Sequence, residues 1–281
     1  MQCSTRVVKM TPKPGESNLK VIAHRGANRE AIENSRAAFE KALQGGATRI
    51  ELDVQLSRDG HAVIMHDDQL GHTVDLQAGG IRLISSMTRA ELSRLKLKNG
   101  EPIPFLDEIV DEFADRIELN IEIKGRSPRL ADVTGRICAD HGRLDAFVIS
   151  SFELEPLVFL KDHHPRIERA CLWGTDNLLG PHFSRFAPPT FMLMAGARIF
   201  HPVANWIDWN LMDQAKARGW KVYGWVPMAG ETTGRENLWS YLAALDVDGL
   251  CTNYPREMAA WLAGVENEQQ RIQSLSSTIR F

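Results

Sequence analysis

The 281-residue chain lacks most of the features that mark a specialised class of protein. Its four cysteines, Cys3, Cys138, Cys171 and Cys251, lie far apart and form no C-x-x-C pair. That excludes a disulfide framework and reads as free thiols in a reducing compartment. No stretch of about 18 apolar residues runs without a charge, so no membrane-spanning helix is expected. No basic block or basic-aromatic stripe interrupts a chain of formal net charge −3, which sets nucleic acid aside as a partner. Neither a Walker loop nor a Gly-x-Gly-x-x-Gly loop occurs, so nucleotide-dependent transfer lacks its usual phosphate cradle. The opening residues "MQCSTRVVKMTPKPGES" hold no apolar run long enough for a signal-peptide core. The expected location is the cytoplasm.

What is present is an alternation of short apolar runs with amphipathic stretches, from Lys20 to about Gly264. Strand candidates fall at 20–24, 49–54, 62–66, 117–123, 147–151, 168–173, 198–203, 221–226 and 249–252. Between most of them lie segments such as "SRAAFEKALQGG", apolar near i, i+3 and i+4 and closed by glycine. Strands alternating with helices imply a parallel sheet, and this many units in ~250 residues imply a closed (β/α)8 TIM barrel. Nine candidates for eight places leave one in excess. The weakest are 198–203 and the close pair 49–54 and 62–66, where "SRDG" reads as a turn with no room for a crossover helix. Residues 68–104 are polar and irregular, with a Thr-x-x-Glu capping box at Thr88, and read as a small insertion over the barrel mouth. Residues 1–19 read as an N-terminal extension, 20–265 as the barrel domain and 266–281 as a tail.

Side chains alternate across a strand. In "RIELDV", Ile50, Leu52 and Val54 share one face, and Glu51 and Asp53 the other. In "IELNIEIK", the isoleucines and Leu119 share one face, and Glu118, Asn120, Glu122 and Lys124 the other. The outer face of a barrel strand packs on helices, so the charged sets must point inward. Buried carboxylates side by side repel and are costly to desolvate. One divalent cation, Mg²⁺ or Ca²⁺, relieves both costs because these ions want several oxygen ligands.

Two histidines stand at strand ends. His24 closes the first strand, with Arg25 beside it, and His66 closes the third. Barrel active sites are built at the C-terminal ends of strands. Two imidazoles, a carboxylate cluster, Arg25 and Lys124 there suit acid–base chemistry at phosphorus.

With these residues in place the chain resembles the glycerophosphodiester phosphodiesterase family. The blocks that carry the resemblance are "HRGANREAIENS", "GGATRIELDVQLSRDGHAVIMHDDQL", "IPFLDEIV" and "NIEIKG", with "FVISSFELEPL", "ARGWKVYGWV" and "VDGLCTNYP" further on. They occur in the family's order over roughly residues 20 to 260. The resemblance implies a TIM barrel that hydrolyses glycerophosphodiesters to sn-glycerol 3-phosphate and an alcohol with one divalent cation. It implies Glu51, Asp53 and Glu122 as metal carboxylates and His24 and His66 as the acid–base pair. Arg25 and Lys124 match the phosphate-contacting cations, Glu33 and Asn34 an accessory pair, and Trp225 a pocket wall. Three departures stand out: His72 where arginine is common, "WVPM" with Pro227 and Met228 for W-T-V-N, and "TNYP" for T-D-x-P.

The mechanism expected has the cation and the two cationic side chains on the phosphoryl oxygens. One histidine deprotonates water or a neighbouring glycerol hydroxyl and the other protonates the leaving alcohol, with His24 assigned as base and His66 as acid in an order that the sequence does not fix. A rival within the same architecture is a lysophospholipase D or other lipid-directed phosphodiesterase, with "PHFSRFAPPTFMLMAGARIF" lining an acyl groove. A rival of another class is a non-catalytic binding barrel, which predicts a broken constellation. Oligomeric state is left open.

Overall fold

Alternation decides which side of each strand meets the helices. The computed structural model describes residues 19–76, 81–174, 188–228, 231 and 234–265. Eight parallel strands form the staves of a barrel: β1 (Lys20–Ala23), β2 (Arg49–Leu56), β3 (Glu118–Ile123), β4 (Phe147–Ser151), β5 (Glu168–Trp173), β6 (Ile199–Pro202), β7 (Lys221–Trp225) and β8 (Gly249–Thr252). Each pairs in parallel with its sequence neighbours, β1 pairs with β8, and the ring is closed. The candidate at 198–203 is therefore a true stave.

The outward set Ile50, Leu52 and Val54 packs with Leu119 and Ile121 against the helices. Phe39 of α1 (Arg36–Gln44) meets Phe113 of α2 (Leu106–Phe113) edge-on at 5.8 Å. Helix α1 starts where the Ser35 hydroxyl accepts from the Ala38 amide, an N-cap worth about 1 kcal/mol. α3 (Pro128–His141), α4 (Leu154–His163), α5 (Pro188–Ala195), α6 (Trp209–Ala217) and α7 (Arg235–Ala244) continue the outer ring. Inside the barrel lies a smaller cluster of Ile22, Val148, Ala170, Ile199, Tyr223 and Cys251. At the N-terminal ends of the staves Glu118 takes ion pairs from Lys20 and Arg49, each at 2.6 Å. The inward-facing Glu118 thus belongs to the bottom of the barrel and is separate from the carboxylates at the mouth.

The ninth candidate is real but is no stave. Ala62–Ile64 folds back antiparallel on the upper part of β2, pairing Val54 with Ile64 and Leu56 with Ala62. It takes the edge of β2 above the point where β1 stops, since β1 reaches only Ile50. The strand ends at Ile64, two residues earlier than expected, and His66 lies just beyond it. The βα repeat is intact, because everything from Ser57 to Phe105 is an excursion between β2 and its own helix α2. A loop leaving the C-terminal end of a stave lies at the mouth. The excursion carries its own apolar cluster, including Val63, Met65, Leu70, Ile84, Leu92 and Phe105. It also carries a two-stranded ribbon (Gln69–Leu70 with Arg82–Leu83) and the expected capping box at Thr88.

Candidate active site

The turn after β1 is strained in a way its sequence tolerates. Arg25 and Asn34 hold φ of 55° and 56°, and Gly26 holds 78°. A Cβ on Gly26 would lie 2.7 Å from the Ala38 backbone, so only glycine fits between this turn and α1. The turn aims its groups inward. The Arg25 amide donates to Glu51 Oε2 at 2.8 Å. Asn34 donates from Nδ2 to Asp53 Oδ2 at 2.8 Å and accepts the Asp53 amide at 3.2 Å.

Registry brings the carboxylates together, because Asp53 sits beside Glu122 across the β2–β3 pair. Oxygens of Glu51, Asp53 and Glu122 lie within 4.8 Å of one another, all three buried. Two protein cations answer them. Lys124 Nζ is 2.9 Å from Asp53 Oδ1 and ion-pairs Glu122. Arg25 Nε is 3.2 Å from Asp53 Oδ2, while its NH1 holds Glu33 at 2.9 Å.

The consequences for charge differ between the three acids. Burial raises the Glu51 carboxyl well above the ordinary range, and the like charges of Asp53 and Glu122 push it further. Glu122 is raised by burial too, with Lys124 opposing. Burial would also raise Asp53, but Lys124 and Arg25 outweigh it and hold that carboxyl low. Among the described residues Glu51 Oε1 is buried without a hydrogen-bond partner, an expense of a few kcal/mol unless a ligand meets it. An all-oxygen set of three carboxylates, with Glu51 Oε1 unmet, fits a hard divalent cation.

The cavity above these groups has a volume of about 540 Å³ and is lined by His24, Arg25, Glu51, His66, Lys124 and Trp225, among others. His66 reaches it because the antiparallel strand runs back down, with Met65 N–H on the Asp53 carbonyl and Gln55 Nε2 on the His66 carbonyl. Its Nδ1 stands 2.7 Å from Asp67 Oδ1. The Trp225 ring is fixed by Nε1 donating to the Trp173 carbonyl at 3.0 Å and by edge contact with Phe152. A Cβ on Gly174 would come within 2.4 Å of that ring. Burial, then the nearby Arg25 charge, lower the His24 imidazole to about 3, so it is neutral near pH 7.

A family model described as the glycerophosphoryl diester phosphodiesterase family matches residues 24–257. The chain belongs to that family. Its members are hydrolases of phosphoric diesters, and this protein is one of them. It is 30% identical to a glycerophosphodiester phosphodiesterase of Caldanaerobacter subterraneus over 85% of this chain and 95% of that one. A phosphodiesterase of Oleispira antarctica, solved in complex with the product sn-glycerol-3-phosphate, superposes with a TM-score of 0.72. The identity is 27%, over 87% of this chain and 96% of that one. A structure from Galdieria sulphuraria shares the fold at 22% identity and a TM-score of 0.76, over 87% and 98% of the two chains.

Within this phosphodiesterase barrel the structure gathers all seven core positions foreseen from sequence, His24, Arg25, Glu51, Asp53, His66, Glu122 and Lys124, around one mouth. Glu33 and Asn34 stand one step back, on Arg25 and Asp53 respectively. His72 is exposed, 3.9 Å from Glu33. Of the apolar stretch at 181–200, residues 181–187 lie outside the described residues. The described part is helix α5 on the barrel exterior, with Phe191 edge-on to Trp173 and Leu193 exposed, followed by the turn into β6 and its first two residues. None of its described residues lines the cavity. Sequence reasoning passed over His201, buried on β6, and gave no role to Asn120, which it had placed on the inner face of β3. Both line the cavity. It also noted Asn253 only as a departure, whereas the residue touches His24. The sole local signal for His201 was its place at the end of a stave. Among the described residues no helix is long and apolar enough to cross a membrane.

Proposed function

We propose that the protein hydrolyses glycerophosphodiesters to sn-glycerol 3-phosphate and an alcohol with the help of one divalent cation, Mg²⁺ or Ca²⁺. The observation that carries the reading is the meeting of both histidines, two cations and three carboxylates at one cavity. The product bound by the Oleispira antarctica relative supports the substrate class.

Glu51, Asp53 and Glu122 would hold the cation, which when bound neutralises phosphoryl charge and acts as a Lewis acid. Arg25 and Lys124 face the same oxygens and stabilise the charge that builds on phosphorus during attack. Glu33 keeps the Arg25 guanidinium in place, and Asn34 keeps the Asp53 carboxylate in place. One imidazole takes the proton of the attacking hydroxyl as the new P–O bond forms. The other gives its proton to the alcohol oxygen as the old P–O bond breaks. Trp225 supplies a rigid apolar wall for the glycerol or head-group side of the substrate. The three described cysteines, all unpaired and buried, support a reducing compartment such as the cytoplasm.

The test is a panel of glycerophosphocholine, other glycerophosphodiesters and lysophosphatidylcholine, assayed with each cation for release of sn-glycerol 3-phosphate or lysophosphatidic acid. Turnover of the water-soluble diesters is the expected result. Turnover of lysophosphatidylcholine alone would overturn the proposed substrate class.

A further inference from the structure

We infer that Asn28 and Asn253 form a positioning relay that fixes the tautomer of His24, with the proton on Nδ1 and the lone pair on Nε2, and so makes His24 the proton acceptor of the pair. The inference rests on the two-histidine reading above and adds the direction in which the proton moves.

The relay can be read atom by atom from a group whose role is not negotiable. The main-chain carbonyl oxygen of His24 only accepts. The terminal atom of Asn28 that lies 2.7 Å from it must therefore be the amide nitrogen, Nδ2. The same nitrogen carries a second hydrogen and lies 2.8 Å from Asn253. The Asn253 atom it meets must be the oxygen, Oδ1. That oxygen also only accepts, and it stands 2.8 Å from His24 Nδ1. Nδ1 therefore supplies the hydrogen. A neutral imidazole has one N–H, so Nε2 keeps its lone pair.

Amide orientations are ordinarily assigned from the network around them. Here a main-chain carbonyl at each end removes the choice. Turning the Asn28 amide over would set two acceptors against each other at 2.7 Å. The far side of the Asn253 amide agrees, since its Nδ2 faces the Pro227 carbonyl at 3.4 Å. Asn253 is itself fully buried and anchored. Its main-chain N–H donates to Glu231 Oε2 at 2.8 Å. Glu231 Oε1 accepts from Thr252 at 2.6 Å and from Trp239 at 3.2 Å. The relay is thus anchored just past the end of β8 and is not a loose surface contact.

The two histidines have different partners on the same ring atom. His66 offers Nδ1 to the Asp67 carboxylate, which balances an imidazolium and suits a proton donor. His24 offers Nδ1 to a neutral amide, which sets ring orientation and tautomer without adding a charge. In the serine-protease triad, replacing the residue that sets the histidine tautomer lowers kcat by about 10⁴.

The test reads the tautomer directly. The cation-loaded enzyme, labelled with nitrogen-15 in its histidines, is studied by long-range proton–nitrogen NMR near pH 7. The His24 ring is assigned by its loss in His24→Gln. The expected ring is neutral, protonated at Nδ1 and bare at Nε2. Asn253→Leu should abolish that pattern and lower kcat about 10²-fold or more, with KM for glycerophosphocholine changing far less. Asn253→Asp restores an acceptor and should recover the Nδ1–H form and more activity than leucine does. If the leucine variant does not fold, Asn28→Ala, which frees the Asn253 amide to turn over, should give the same loss of the pattern. A wild-type ring protonated at Nε2, or at both nitrogens, overturns the relay. Full activity in His24→Gln would overturn the two-histidine reading itself, whatever the tautomer, so the two failures are separate.

Discussion

Asn34 and Asp53 exchange two hydrogen bonds within the buried floor of the site, one from the Asn34 amide group and one from the Asp53 main chain. Asn34 makes both while holding a left-handed backbone, φ 56°. The pair tells glycine from aspartate at position 34. Asn34→Gly keeps the backbone and loses two bonds, an expected loss of about 1–3 kcal/mol. Asn34→Asp keeps the shape but sets a carboxylate against Asp53, which Lys124 and Arg25 keep ionised. Urea denaturation near pH 7 should therefore find Asn34→Asp the less stable of the two. Equal stability to wild type in Asn34→Asp would mean that Asp53 is not ionised there.

Lys124 touches two of the three carboxylates, yet its proposed task is on the phosphate. Lys124→Met should lower kcat/KM by about 10²–10³. It should not weaken binding of the divalent cation, because it removes positive charge from beside the cluster. Some stability is lost as well, since cutting one side of a buried pair is costly. Calorimetric cation titration beside steady-state kinetics separates the roles. Weaker cation binding with full turnover at saturating cation would place Lys124 with the ligand set.

The raised Glu51 carboxyl has a measurable sign. Between the ordinary glutamate range and its raised value, the cation-free folded protein keeps a proton on Glu51 that the unfolded chain has released. That group's contribution to stability is present at the acid end and is lost as pH rises through the raised value. A cation must displace the same proton, so affinity rises with pH across this window. Calorimetry in buffers of different ionisation enthalpy should show proton release on binding, and Glu51→Gln should remove it. Binding with no proton release in the wild type contradicts the assignment.

His66 as donor predicts a dependence on the leaving group. His66→Ala should cost far more on glycerophosphocholine than on a p-nitrophenyl diester, whose leaving group needs no proton. Equal losses on both substrates would exclude His66 as the acid.

Much of this was written in local pattern. Glu51 and Asp53, and Glu122 with Lys124, announce the site because charge on the inner face of a stave demands a purpose. Alternation fixes a face but not a height, so Glu118 carried the same signal as Glu122 and lies at the opposite end of the barrel. The antiparallel return at Ala62–Ile64 was visible as a ninth strand. Its meaning was not, because a strand and its helix separated by an excursion look like two broken units. The His24–Asn253 contact spans 229 positions, and no short window of sequence contains both partners.

Release of sn-glycerol 3-phosphate from glycerophosphocholine, followed after exhaustive EDTA treatment and again after adding Mg²⁺ or Ca²⁺, goes directly to the cation-assisted hydrolysis proposed for this barrel. No product in EDTA, and restored turnover with a divalent cation, is the predicted result. Full turnover in excess EDTA would contradict it.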